Sequence, residues 1–218
     1  MRTPAILAAT AALVLPAVAP AGLSPVAHAV SCPEVQFVFA RGTSEPAGLG
    51  RVGTALSNQL AAQMGDRSYG VYPVNYPATY DFLAAADGAV DATNHITAMA
   101  QNCPSTRFVL GGYSQGAAVV DMLMGIPPLG NKVGDVGSAP PLPHSLANRV
   151  AAVAVFGNPA RKFGNPVTSA VAPFAGKGID LCADGDPICS QGRNPFAHTT
   201  YEKTDLVSEA AGFVAAML

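Results

Sequence analysis

Gly112-Tyr113-Ser114-Gln115-Gly116 carries the most pointed chemistry in the chain. Arg107 to Gly111 before it reads as an apolar strand, and Gln115 to Met124 after it reads as an Ala- and Val-rich helix. G-x-S-x-G between a strand and a helix is the pattern of a nucleophile elbow, a sharp turn that lifts a serine hydroxyl clear of a sheet edge. The bend is crowded, so glycine suits the positions two residues to either side. A helix starting at Gln115 aims its first amides at an oxyanion forming beside Ser114. The Gln115 amide is therefore a natural oxyanion donor. The chemistry on offer is attack on an acyl carbonyl.

A serine hydroxyl needs a base to become a nucleophile. His95 lies in a helical stretch ahead of the nucleophile strand, and His144 lies in a Pro-rich excursion. His198 follows Asn194-Pro195-Phe196-Ala197, just beyond the last strand. Enzymes built on such an elbow use the chain order serine, acid, histidine. Only His198 has acids ahead of it at a strand end, namely Asp184 and Asp186. A carboxylate there would hold the imidazole in the right tautomer and stabilise its cation. Either acid meets that need.

Both acids lie between Cys182 and Cys189. The four cysteines, Cys32, Cys103, Cys182 and Cys189, form an even set. In an exported chain that reads as two disulfides. Cys182 and Cys189 are near enough to close a small loop, which leaves Cys32 with Cys103. No C-x-x-C pair and no histidine at ligand spacing from a cysteine suggests a metal. No metal or cofactor is expected.

The elements that must bring these groups together alternate along the chain. Strands are expected at 35–40, 69–74, 107–111, 150–156 and 178–181, with helices at 50–64, 81–101 and 115–124. Phe82, Ala85, Ala89, Ala92, Ile96 and Met99 fall near one helical stripe. Thr204 can cap a last helix whose Leu206, Phe213, Val214 and Met217 face inward. Strands alternating with helices imply parallel strands and right-handed crossovers, hence a three-layer α/β/α domain with its ligand at the strands' carboxyl ends. Residues 126–146, rich in Gly, Pro and Asn, read as a surface excursion rather than a boundary.

Residues 1–29 read as a signal peptide. Arg2 is followed by an Ala-, Leu- and Val-rich run, and Ala27-His28-Ala29 fits a small-x-small cleavage site. Pro16 and Pro20 break the run short of a membrane span. Cleavage would leave 30–218 as one secreted domain. The formal charge is −2 with no basic cluster, so nucleic acid is not an expected partner. A monomer is expected.

Gly48-Leu49-Gly50-Arg51-Val52-Gly53 matches a dinucleotide fingerprint, yet it starts too far beyond the preceding strand, and the next strand ends at Asn75-Tyr76 without an acid. These glycines are read instead as allowing close packing near the nucleophile.

Arg41-Gly42-Thr43-Ser44-Glu45, Gly112 to Gly116, Cys182-Ala183-Asp184-Gly185-Asp186-Pro187-Ile188-Cys189 and His198 occur in order. Together they resemble the cutinase family, in particular its mycobacterial members, over nearly all of residues 30–218. The resemblance implies a lidless α/β hydrolase with a central five-stranded parallel sheet. It puts the acid on Asp186, the base on His198 and the oxyanion donors on Thr43 and Gln115. It also implies the pairing Cys32–Cys103 and Cys182–Cys189. The function implied is hydrolysis of a small-molecule or lipid ester, with transient contact to lipid surfaces. Ser190 to Phe196 is more polar than the matching loop of the fungal enzymes, which argues against strong action on solid cutin. The same triad would serve a phospholipase, thioesterase or acyltransferase, and the scaffold alone could serve a non-catalytic surface protein. Tyr80, Phe82, Ile188 and Phe196 are the residues that could line an acyl groove.

Overall fold

Val35–Ala40 (β1), Arg107–Tyr113 (β3) and Val150–Phe156 (β4) are runs of Val, Phe, Leu and Ala almost without charge, and they form the middle of a parallel sheet. Such runs are buried on both faces, which is why they do not alternate with polar residues. Tyr69–Pro73 (β2) and Gly178–Leu181 (β5) are shorter, half-buried and take the edges, giving the order β2-β1-β3-β4-β5. The computed structural model describes residues 32–129 and 137–218. Residues 1–29, read above as a signal peptide, lie outside the described residues.

The helices are Gly50–Gln63 (α1), Ala85–Asn102 (α2), Gln115–Met124 (α3), His144–Ala147 (α4), Pro159–Lys162 (α5), Pro195–His198 (α6) and Leu206–Met217 (α7). The pleat sorts side chains between two cores. Val38, Leu110, Val153 and Val155 point to α2 and α3. Phe37, Phe39, Val109, Ala154 and Phe156 point to α1 and α7. Burying each Phe side chain contributes roughly 1.5–3 kcal/mol. The result is the expected three-layer α/β/α domain.

In detail the structure departs from expectation at three points. The helix expected from residue 81 begins at Ala85, after one 3₁₀ turn (Phe82–Ala84) capped by the Asp81 carboxylate. Phe82 therefore leaves the stripe and is 45% exposed. Thr204 does not cap α7; its hydroxyl donates to the Tyr201 carbonyl, and Asp205 stands at the cap position. Val207, Ala210, Ala211 and Val214 form the deepest stripe of α7, while Leu206, Phe213 and Met217 flank it. Among the described residues, no helix is long and apolar enough to cross a membrane.

Two disulfides hold the domain. Cys32–Cys103 ties the segment before β1 to the end of α2, and Cys182–Cys189 closes a loop after β5. In the chain-entropy model they stabilise by about 4 and about 2–3 kcal/mol.

A buried acid pair joins α3 to the far edge of the sheet. Asp121 of α3 and Asp180 of β5 both accept from the Asn158 amide, over 3.2 and 2.9 Å. Asn158 reaches Asp121 Oδ1 and Asp180 Oδ2; among the described residues the other two oxygens have no hydrogen-bond partner, with Arg161 Nη1 3.9 Å from Asp180 Oδ1. Burial, then the facing Asp180 charge, raises the Asp121 carboxyl well above its ordinary range. Burial likewise raises Asp180, against the Val167 amide, Asn158 and Arg161. A raised folded-state value means that the pair's stabilisation is complete below the ordinary carboxylate range and is lost as pH climbs through the raised values. Asp121→Asn keeps the uncharged shape at every pH. It should raise the melting temperature at pH 8 by about 2–4 °C, with the gain vanishing toward pH 4. Thermal melts across pH check this; a variant melting lower than the parent at pH 8 contradicts it.

Candidate active site

In the order β2-β1-β3-β4-β5 the connections turn in opposite directions from β1, so a crevice opens where β1 and β3 end side by side. Thr43 follows β1 and Ser114 follows β3 at that crevice. Ser114 has φ 56° and ψ −117°, a conformation that side chains rarely adopt. Its amide donates to the Phe156 carbonyl over 2.9 Å, and its carbonyl accepts the Ala117 amide over 2.9 Å. A Cβ on Gly112 would lie 2.2 Å from the Gly116 oxygen, and one on Gly116 would lie 1.9 Å from the Ala40 oxygen. Glycine is required at both positions by contact with backbone, which cannot yield.

His198 ends α6, whose start is fixed by Pro195 and by the Asn194 side chain accepting the Phe196 amide. Its Nε2 is 2.8 Å from Ser114 Oγ, and its Nδ1 is 2.7 Å from Asp186 Oδ2. Asp186 is fully buried. Asp184 is exposed and stands apart from this chain of bonds. Burial pushes the Asp186 carboxyl up, but bonds from His198, Tyr201 and the Ile188 amide outweigh it and hold the carboxyl below its ordinary range. The group is a carboxylate at any pH near neutrality. His95 stacks on Tyr72, and His144 pairs with Asn148; neither reaches Ser114.

Thr43 and Gln115 both line the cleft beside Ser114, and the Thr43 hydroxyl donates to Gln115 Oε1 over 3.2 Å. The loop carrying Thr43 is held by Arg41, whose buried guanidinium donates to the carbonyls of Glu45, Tyr76 and Pro77 over 2.9, 2.7 and 3.2 Å. Glu45 binds the amides of Gly42 and Arg51 over 2.8 and 2.9 Å. That carboxylate occupies the N-terminus of α1, where the dinucleotide reading of Gly48 to Gly53 would need a phosphate. Among the described residues, the lone metal-ligand grouping is Cys182, Asp186 and Cys189; its sulfurs are joined to each other and its carboxylate holds His198.

The cleft above Ser114 has a volume of about 520 Å³ and is lined mainly by apolar groups, with Tyr80, Phe82, Leu129 and Ile188 among them. Phe196, expected with them, is 74% exposed and not part of the lining. The sequence reading also missed Arg41, Tyr113 and Tyr201 as supports. The Tyr113 hydroxyl bonds the His198 carbonyl, and the Tyr201 hydroxyl bonds Asp186. The nearest signal for Tyr201 was its place one helical turn after His198.

The family model for cutinase matches residues 31–218. The chain belongs to the cutinase family. It is similar to phospholipase Culp4 of Mycobacterium tuberculosis, 46% identical over 214 residues that cover 98% of this chain and 89% of that one. Carboxylesterase Culp1 of the same organism is 43% identical over 217 residues, covering 96% of this chain and 91% of that one. Trichoderma reesei cutinase, solved with a C11Y4 phosphonate inhibitor, superposes with a TM-score of 0.65 at 34% identity, over 85% of this chain and 77% of that one. This cutinase-type carboxylesterase therefore has the lidless α/β-hydrolase fold, and its two disulfides fit an extracellular protein.

Gly157 tests how tightly the imidazole is seated. It has φ +57°, and a Cβ there would lie 2.8 Å from His198 Cε1 and 3.3 Å from Asp186 Oδ2. Gly157→Ala should lower kcat on a soluble ester at least about tenfold with little change in KM, because the displaced ring loses its reach to Ser114. Steady-state kinetics on folded variant check this; a parental kcat contradicts it.

Proposed function

We propose that this chain is an exported ester hydrolase that works through an acyl-enzyme on Ser114, with His198 as base and Asp186 as its orienter. One observation carries the reading: an unbroken hydrogen-bond chain of 2.8 and 2.7 Å from Ser114 Oγ through the His198 ring to a buried carboxylate. Family membership and the apolar cleft support it.

Ser114 Oγ attacks the ester carbonyl carbon while His198 Nε2 takes the hydroxyl proton. The carbonyl oxygen becomes an oxyanion beside the amides of Gln115 and Thr43. Asp186 keeps Nδ1 protonated, so Nε2 is the free acceptor. The tetrahedral species collapses, the alkoxide leaves with the proton from Nε2, and the acyl group stays on Oγ. Water then repeats the cycle, with His198 taking its proton, and releases the acid. The loss of one oxyanion donor typically costs about 10²–10³ in rate.

The cleft supports a substrate class. Its apolar lining suits an acyl chain, and Tyr80 and Phe82, 77% and 45% exposed, continue that character to the rim. A lipid ester presented at a surface fits this arrangement, and the relative named as a phospholipase favours testing phospholipid directly.

Ser114→Ala should lower hydrolysis of p-nitrophenyl esters by at least about 10³-fold and abolish labelling by a fluorophosphonate probe, with the melting temperature within a few degrees of the parent. Undiminished turnover refutes the nucleophile. Parental protein that folds but neither labels nor turns over esters would mark a non-catalytic scaffold. A chain-length series of esters, then phospholipid and acyl-CoA, separates esterase, phospholipase and thioesterase action.

Export rests on Arg2, the apolar run and Ala27-His28-Ala29. Mass spectrometry of protein from culture medium should find Val30 as the first residue. Protein retained in the cell with Met1 intact would overturn this.

A further inference from the structure

His198 is not alone on the buried carboxylate. The Tyr201 hydroxyl donates to the same oxygen, Asp186 Oδ2, over 2.6 Å, and the Ile188 amide donates to Oδ1 over 2.7 Å. Tyr201 is fully buried. Its oxygen accepts the Ala183 amide over 2.9 Å. The Cys189 sulfur lies 3.4 Å away, but a disulfide sulfur is a weak acceptor, so the phenolic proton goes to the Asp186 carboxylate.

Packing does not explain the hydroxyl. The ring lies edge-on to Phe156 and to His198, with centroids 5.9 and 6.2 Å away, and a phenylalanine would fill the same space. A hydroxyl in such a core costs free energy unless it is bonded. Here its three polar contacts, with the Ala183 amide, Asp186 Oδ2 and the Cys189 sulfur at 3.4 Å, all go to the Cys182–Cys189 loop, and one is to the atom that faces the imidazole.

We propose that Tyr201 is a positioning residue for the triad: its hydroxyl locks the rotation of the Asp186 carboxyl and shares Oδ2 with His198. The proposal rests on the triad reading above. Two donors on one oxygen disperse its charge. Without the phenol the carboxylate turns more freely and holds the imidazolium more strongly. The first effect slows the proton transfer; the second keeps the base protonated to higher pH. Burial, and then the bond to Asp186, drives the Tyr201 hydroxyl far above the ordinary phenol range, so it remains a donor throughout. The other titratable groups nearby are Tyr113 and, beyond its ring, Glu45, Arg51 and Glu202. None of these hydrogen-bonds the Asp186 carboxylate.

Tyr201→Phe should lower kcat on p-nitrophenyl butyrate about tenfold, leave KM within about twofold, and move the acid limb of the kcat/KM profile up by about half a pH unit. Rates are referred to active sites titrated with fluorophosphonate. In an Asp186→Asn background the same substitution should cost nothing further, because its target is gone. Parental kcat and an unmoved acid limb would assign Tyr201 to packing alone and overturn the proposal. So would an equal loss in the Asp186→Asn background. If Asp186→Asn alone kept parental activity, the triad reading itself would fall. Should Tyr201→Phe not fold, 3-fluorotyrosine at position 201 provides the test. Its more acidic hydroxyl is a stronger donor and should move the acid limb down; an unmoved limb overturns the proposal.

Discussion

The site depends on one backbone constraint, the turn at Ser114. A residue with φ 56° costs about 1–3 kcal/mol and persists only where its surroundings determine it. They do so here from three sides. β3 is paired on both edges up to Gly112 or Tyr113, α3 begins at once, and the Ser114 amide is tied to Phe156 of β4. The glycines at 112 and 116 let the start of α3 press onto the sheet within van der Waals contact of Ala40. That contact also brings the end of β1, with Thr43, beside the nucleophile. One turn therefore sets the hydroxyl and the two proposed oxyanion donors, Thr43 and Gln115, together.

The proposed base and acid, His198 and Asp186, come from a region with little regular structure, and different forces hold them. The segment 182–198 has one short helix and no strand. A disulfide closes its acid loop, the Ser190 hydroxyl binds the Asp186 carbonyl over 2.6 Å, and the Asn194 amide binds the Gly185 carbonyl over 2.8 Å. Cross-linking so short a loop removes much of its disorder in the unfolded chain. The carboxyl itself is held at both oxygens, Oδ1 by the Ile188 amide over 2.7 Å and Oδ2 by two side chains. The two side chains, His198 and Tyr201, reach Oδ2 from outside the loop, over 2.7 and 2.6 Å.

Much of this was legible in the sequence because the informative signals are local. Apolar runs mark β1, β3 and β4, and glycine spacing marks the elbow, because each pattern is written in a few consecutive residues even where the contact behind it is distant, as for Gly116 against Ala40. Asp184 and Asp186 could not be separated on that basis. Both sit in one loop, and which of them turns inward depends on Tyr201 and His198, residues that reach it only after folding. The role of Arg41 was illegible for the same reason. The motif Arg41 to Glu45 marks its position but not its role, because the Tyr76 carbonyl it binds lies 35 residues away in sequence. Phe82 failed differently. Its spacing fitted the α2 stripe, but Asp81 offered the backbone a competing cap that turned the first residues into a 3₁₀ turn facing the cleft.

That last displacement bears on function. Had α2 begun at residue 81, Phe82 would have joined the core and the rim would have lost an aromatic ring. The cap at Asp81 instead leaves Phe82 beside Tyr80, their rings 6.4 Å apart and edge-on, on the lining of the cleft. Exposed aromatic area in water is unfavourable, and it is kept here at the mouth of an apolar cleft, where an acyl chain would cover it. The rigid half of the site, from β1 and β3, fixes where the carbonyl must sit. The open half, from the capped turn, decides what can be attached to that carbonyl. On the proposed reading, catalytic geometry and substrate range are carried by separate segments, so the rim can change without disturbing the bend at Ser114.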